Sequence, residues 1–354
     1  MTKAELDSIK ILPLEDSWYR KVKEKLDGIA KPLDGLGKFE HLIAQIGAIE
    51  KTTKISIQKK AVLVMCADNG VVEEQVSQSG KEVTLAVAKA MGVNNSSVGK
   101  MAAVAGVDVI PVDIGIDTDE VIPGVLPRKV AKGTKNFAKE PAMTEEEVLK
   151  AIETGIQLVQ QCHREGYEML ATGEMGIGNT TTSTAVAAAL LDLEVEQVTG
   201  KGAGLTDEAL KRKCRVIEEA IEKYFLRDAD AFTILKTVGG LDIAGLTGVF
   251  IGAAIEQIPV VIDGVISAVA ALLAEILCKG AVNYMIPSHK SRELAETAIM
   301  KKLHLDPVLD ADMALGEGTG AVMMMSLLDV ALGVYLQGAS FANFEIEQYK
   351  RYEE

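Results

Sequence analysis

Two glutamates stand inside glycine-rich loops. Glu174 lies in Gly173-Glu174-Met175-Gly176-Ile177-Gly178-Asn179 and Glu317 in Gly316-Glu317-Gly318-Thr319-Gly320. Glycine lets the backbone approach a ligand closely and leaves each carboxylate unencumbered. The first loop follows a short apolar run at 167–172 and precedes a Thr- and Ala-rich segment that reads as a helix capped by Asn179 or Thr180. Strand, glycine loop and helix N-terminus together make a phosphate seat, because free N–H groups and the helix dipole converge there. An acid beside such a seat is unfavourable unless a cation develops during reaction. Two carboxylates around a sugar carbon suit an oxocarbenium-like transition state. One takes a proton from the nucleophile and the other offsets positive charge at the anomeric carbon. His41, His163, His289 and His304 show no metal-ligand spacing, so no metal is expected. The combination points to a sugar-phosphate or nucleotide substrate and N-glycosidic bond chemistry.

Other motifs are weaker. Gly316-x-Gly318-x-x-Ala321 matches a loose dinucleotide fingerprint, but no strand precedes it and too little chain follows for a βαβ unit. Neither a Walker loop nor a G-x-S-x-G elbow occurs, and no cofactor is expected.

The elements that must position these loops follow a rhythm. Apolar runs at 60–66, 107–113, 167–172, 231–236, 258–262 and 281–286 alternate, for the most part, with helix-sized segments. This predicts an α/β fold with a doubly wound, mainly parallel six-stranded sheet. Asp68, Glu174, Asp242, Asp263 and Ser288 each end a run. They would share the C-terminal edge of the sheet, where ligands bind in such folds; singly, Asp-Gly and Gly-Gly are ordinary turn residues. Before residue 60 the pattern is helical. Trp18, Val22, Leu26 and Ile29 share one face, and a second helix runs over 38–50. Residues 1–55 with the polar tail 337–354 are therefore expected to form a small helical domain, and 56–336 a large Rossmann-like domain holding the active site. Residues 116–147 read as a long surface excursion that ends at a capping box, Thr144 with Glu147. Lys211, Arg212, Lys213 and Arg215 cluster on a helix capped by Thr206, as a solvated face or a phosphate contact.

Composition narrows the class. Hydrophobic residues make up 48% of the 354 and aromatics 4%, so the core is aliphatic. A net charge of −14 argues against nucleic acid or an anionic membrane as partner. Four cysteines without a C-x-x-C read as thiols in a reducing cytoplasm. The first residues lack an apolar leader core, and Asp242, Glu256, Asp263 and Glu275 interrupt the apolar stretch 239–276. A cytoplasmic protein is expected.

The segments KPLDGLGKFE, ADNGVVEEQVSQSGKEVT, GEMGIGNTTTS, GGLDIAGLTG, VIDGVIS, PSHKS and LGEGTGA resemble, in this order, the nicotinate-nucleotide–dimethylbenzimidazole phosphoribosyltransferase family. The resemblance runs along nearly the whole chain. It implies transfer of the 5-phosphoribosyl group from nicotinate mononucleotide to an aromatic base, giving an α-riboside phosphate and nicotinate for cobamide assembly. It implies Glu317 as catalytic base, Glu174 as a second catalytic glutamate that positions the base or stabilises the charged ribosyl, and phosphate or ribose binding by Gly176, Gly178, Asn179, Thr180, Gly202, Lys213 and Ser291. Met175, Leu315, Gly80 and Ala88 would line the base pocket. With Gly80 and Ala88 small and apolar, that pocket suits benzimidazoles, purines or phenols. The implied partners are small-molecule substrates within a homodimer, or a heterodimer with a paralogous chain. The alternatives are a phenol-activating paralogue with a partner chain, a nucleotide N-glycosidase using the same carboxylates on water, and a catalytically weak regulatory paralogue.

Overall fold

The computed structural model describes residues 1–202 and 204–351. Six parallel strands form one sheet: β1 (Lys60–Ala67), β2 (Val107–Gly115), β3 (Leu126–Pro127), β4 (Met169–Met175), β5 (Val260–Ile262) and β6 (Met285–Pro287). Their order is β3-β2-β1-β4-β5-β6. β1 is central and buried along its whole length, which is why its run of apolar residues is unbroken. The chain winds outward from β1 through β2 to β3, then returns to β4 and winds the other way. The reversal opens a crevice beyond the C-terminal ends of β1 and β4, where the Glu174 loop emerges. The doubly wound parallel sheet agrees with the sequence reading.

Two strand assignments need correction. Residues 231–236 belong to a helix, Ala231–Val238. Asp230 Oδ1 accepts the N–H groups of Phe232 and Thr233 at 3.0 and 3.1 Å, and Ala231, Ile234, Leu235 and Val238 are buried at helical spacing. Gly239-Gly240 then opens a second helix, Leu241–Glu256, so Asp242 sits in a first helical turn and not at a strand end. The missing strand is β3, inside the 116–147 excursion. It pairs with Val112 and Asp113 at the sheet edge, where Pro127 forfeits no needed N–H. At 281–286, residues Ala281–Tyr284 make a 3-10 turn and the strand is confined to Met285–Pro287. The rest of the excursion is anchored on the sheet: the Gly133 N–H donates to Gly115 O and the Thr134 N–H to Asp68 O, both at 3.0 Å. Phe137, Ala142 and Met143 are buried there.

Helix Glu145–Arg164 starts at the expected Thr144–Glu147 capping box. It lies against helix Leu241–Glu256 with backbone touching backbone. A Cβ on Gly248 would stand 2.0 Å from Ile152 O, and one on Gly155 would stand 2.1 Å from Gly245 O. This contact fixes the height of the 241–256 helix, and with it Asp242, beneath the glycine loop.

At the chain ends, helices Asp16–Asp27 and Lys38–Ile49 pack together. Val22, Leu26, Ile43 and Ile46 share a core with Val62 and Val64 of β1 and with Met325 and Leu328 of helix Thr319–Gln337. The tail returns to them: the Ala30 N–H donates to Ala339 O at 2.8 Å, and Arg351 bridges Asp27 and Asp34 at 2.7 Å. Residues 352–354 of the expected helical unit lie outside the described residues. Among the described residues, Thr319–Gln337 is the one helix long and apolar enough to cross a bilayer. Ala321, Val322, Met324, Met325 and Leu328 bury one face of it in the core, and we read it as a core helix.

Gly248→Ala should destabilise the protein by about 1–3 kcal/mol through overpacking, measured as a lowered unfolding temperature in calorimetry. An unchanged transition would contradict the tight helix pair.

Candidate active site

The helix after β4 runs Asn179–Leu191, and its cap is Gly178, with φ +92°. A side chain in that left-handed conformation would be strained and would also strike Val72, 2.7 Å away. Asn179 is therefore the first helical residue and not the expected cap. Its side-chain amide turns inward and donates to Glu174 Oε2 and, at 3.1 Å, to Asp242 Oδ2. Glu174 is buried at the end of β4. Burial pushes its carboxyl up to about 8; the Asn179 bond opposes this, and Asp242, Asp263 and Glu317 add repulsion. Burial likewise raises Asp242 to about 6.

A second helix N-terminus meets the first across the crevice. β5 leads into Asp263, and Gly264 opens helix Val265–Leu277 with no side-chain cap. Its first-turn N–H groups lack intrahelical acceptors. Ser267 is 1% exposed, and among the described residues its Oγ has no hydrogen-bond partner. Between the two termini lies a cleft of about 230 Å³. Glu174, Met175, Gly176, Ile177, Asn179, Thr180 and Gly202 line it together with residues 263–267, His289, Ser291, Glu293 and residues 314–316. Lys213 reaches the first terminus from helix Asp207–Lys223, which Thr206 caps as expected. It is fully buried and donates to Thr180 Oγ1 at 3.0 Å and Gly200 O at 3.2 Å. Burial lowers its ammonium to about 8. Lys211 and Arg215 face solvent, so the basic cluster divides between the two readings.

The Glu317 turn closes over this edge. Gly316, Glu317 and Gly318 have φ of +85°, +61° and +92°. The left-handed conformation costs a non-glycine residue about 1–2 kcal/mol, and hydrogen bonds hold the turn in place. Asp263 accepts the N–H groups of Gly318 and Ala321 at 3.2 and 3.1 Å, and Thr319 Oγ1 donates to Gly316 O at 2.8 Å. Glu317 Oε2 accepts the Val98 N–H at 2.9 Å, at the start of helix Ser97–Ala105. The two glutamate loops touch. A Cβ on Gly316 would stand 2.8 Å from Glu174 Oε1, and one on Gly173 would stand 2.5 Å from Glu317 O.

Not every expected residue reaches the cleft. Met175 and Leu315 line it, with Leu315 half exposed. Gly80 lines a separate depression with Asp68 and Asn69, and Ala88 is fully buried in the core. Of the five acids and hydroxyls expected on one cleft, Glu174 and Asp263 line it. Asp242 lies behind Glu174, and Ser288 is buried with its Oγ 2.9 Å from His289 Nδ1. Sequence reasoning missed the 264–267 helix start, His289 and Glu293. Asp263-Gly264-Val265-Ile266-Ser267 carried the signal, since it repeats the strand-turn-helix order of the Glu174 loop. Burial pushes Asp263 up and His289 down, so both resist charging.

The folded carboxyl of Glu174 titrates near 8, above its ordinary 4.5, so its contribution to stability is present below 4.5 and lost as pH rises towards 8. Glu174→Gln should therefore melt roughly 2–5 °C higher than the native protein near pH 9, with little difference near pH 5. Parallel melting curves across that range would contradict the burial argument.

Comparison with known proteins identifies the family. A family model described as phosphoribosyltransferase matches residues 11–346. The nicotinate-nucleotide–dimethylbenzimidazole phosphoribosyltransferase of Acetivibrio thermocellus is 45% identical over 329 residues, covering 93% of this chain and 94% of that protein. Its namesake from Clostridium acetobutylicum is 43% identical over 337 residues, covering 95% and 96%. The crystal structure of CobT from Thermus thermophilus superimposes with a TM-score of 0.89 at 34% identity, covering 94% of this chain and all of that one. With a family match and full-length relatives of this kind, the chain belongs to the nicotinate-nucleotide–dimethylbenzimidazole phosphoribosyltransferase family.

Proposed function

We propose that the protein moves the 5-phosphoribosyl group of nicotinate mononucleotide to an aromatic base of the dimethylbenzimidazole type, releasing nicotinate and an α-riboside 5′-phosphate. The observation that carries this reading is a cleft with a helix N-terminus at each side and a buried glutamate between them. Nicotinate mononucleotide carries two anions, a phosphate and a carboxylate, and a cationic glycosidic nitrogen. Two dipole ends and one acid match that charge pattern. The phosphate lies on Gly176, Gly178, Asn179 and Thr180, backed by Lys213 and Gly202. The carboxylate takes the start of helix Val265–Leu277 and the free Ser267 hydroxyl, next to Ser291. Met175 and Leu315 hold the incoming base.

Glu317 is the general base. It takes the N–H proton of the acceptor as a ring nitrogen bonds to C1′ and the bond from C1′ to nicotinate breaks. Attack opposite the leaving group turns the β-nucleotide into an α-riboside. Glu174 releases its proton to solvent as the cationic substrate binds, and its carboxylate then offsets the charge that develops at C1′. The relatives' names favour base transfer over hydrolysis. The four cysteines are all unpaired, which fits a reducing compartment. In this reading the enzyme is a cytoplasmic homodimer, or works with a paralogous chain, and residues 1–55 with 337–354 form its small helical domain.

Glu317→Gln should bind nicotinate mononucleotide nearly normally and lose turnover by about 100-fold or more. Near-native kcat would remove Glu317 from this role. Ser267→Ala should raise KM for nicotinate mononucleotide roughly tenfold, the loss of a hydrogen bond to a charged group. An unchanged KM would place the carboxylate elsewhere.

A further inference from the structure

Asp242 is a buried acid that the reaction above does not use. It is 0% exposed and stands in the first turn of helix Leu241–Glu256, where the dipole favours its anion. One oxygen, Oδ1, accepts the Ile243 N–H at 2.9 Å. The other, Oδ2, accepts the Asn179 amide at 3.1 Å, and the same amide nitrogen donates to Glu174 Oε2. Two glycines make room for this reach. A Cβ on Gly240 would stand 2.3 Å from Asp242 Oδ1, and one on Gly176 would stand 2.7 Å from Oδ2. Gly240 and Gly176 thus serve the approach of Asp242.

We infer that Asp242 is a positioning residue: by accepting from both the Ile243 backbone and the Asn179 amide, it fixes Asn179 with its N–H aimed at Glu174. Both neighbours of Asp242 are donors, so the position requires an acceptor on each oxygen. An asparagine there has one acceptor and one donor, and must set donor against donor at one of the two contacts. The lower-cost outcome turns the Asn179 amide over and presents its oxygen to Glu174. Three acids also face Glu174: Asp242 itself, Asp263 beyond β5 and Glu317 on its turn; Asp68 at the end of β1 faces Asp242. Replacing Asp242 removes one repulsion. The lost amide bond is the larger influence on Glu174, because it is direct. The Glu174 carboxyl therefore becomes harder to ionise.

The inference rests on the proposed role of Glu174 for its effect on turnover, but its primary readout is independent of activity. Glu174 is titrated by carbon-13 NMR of glutamate-labelled protein, identified by difference from Glu174→Gln. In Asp242→Asn the Glu174 titration should move upward by about one pH unit or more, and the acid limb of kcat should move with it. The double variant Asp242→Asn with Asn179→Asp restores the donor–acceptor match between positions 242 and 179 but offers Glu174 no N–H. It should regain the native melting temperature while the Glu174 titration stays high. A native Glu174 titration in Asp242→Asn would overturn the inference, as would a double variant in which titration and melting recover together. A shifted titration with an unshifted kcat profile would uphold the positioning role and count against the catalytic role of Glu174.

Discussion

The structure depends on how closely the Gly316–Gly320 turn lies on the C-terminal edge of the sheet. The turn packs against β1 and β4 and on Asp263 just beyond β5, and it meets them with glycines. Gly173 faces the Glu317 carbonyl, Gly318 faces Val62 and the Thr172 carbonyl, and Gly320 faces the His289 ring. Any Cβ at these positions would fall within 2.1–2.6 Å of its neighbour. Asp263 ties the turn down through two backbone N–H groups. This contact brings two glutamates that are 143 positions apart in the chain into adjoining loops. It also holds Glu317 in a left-handed conformation that it would not adopt unsupported.

Charge follows from that packing. Glu174, Asp242 and Asp263 are buried near one another at a sheet edge, where the Asn179 amide bonds the first two and the Gly318 and Ala321 N–H groups bond the third. Burial disfavours the charged form of all three acids. A substrate with a cationic glycosidic nitrogen would reverse that balance. In the proposed function these acids would answer developing positive charge, and Lys213, which donates to Thr180 Oγ1 behind the first helix start, would support an anion there.

Much of this was legible in the sequence, because parallel strands covered on both faces leave unbroken apolar runs. The runs at 60–66 and 107–113, and the glycine loop after 172, were found in place. Residues 231–236 look like a strand in the sequence because a short apolar run has no periodicity of its own. The deciding signal was Asp230, a helix cap lying one residue outside the run. β3 escaped because two residues at a sheet edge, one of them proline, leave almost no pattern. The catalytic candidates Glu174 and Glu317 were visible through their glycines. The residue types of Asn179 and Thr180 favour a cap, whereas Gly178 takes the strained position and frees Asn179 for the carboxylates. Gly80 and Ala88 enter the expected base pocket through the resemblance alone, and the fold buries Ala88 in the core.

The most direct test of the account is the stereochemistry of the product. The purified chain would be given nicotinate mononucleotide and dimethylbenzimidazole, with nicotinate release followed in the presence and absence of the base and the new riboside phosphate examined by NMR. The account predicts release that requires the base, and a product with the α configuration at C1′. Release at the same rate without the base, or a β-configured product, would contradict it.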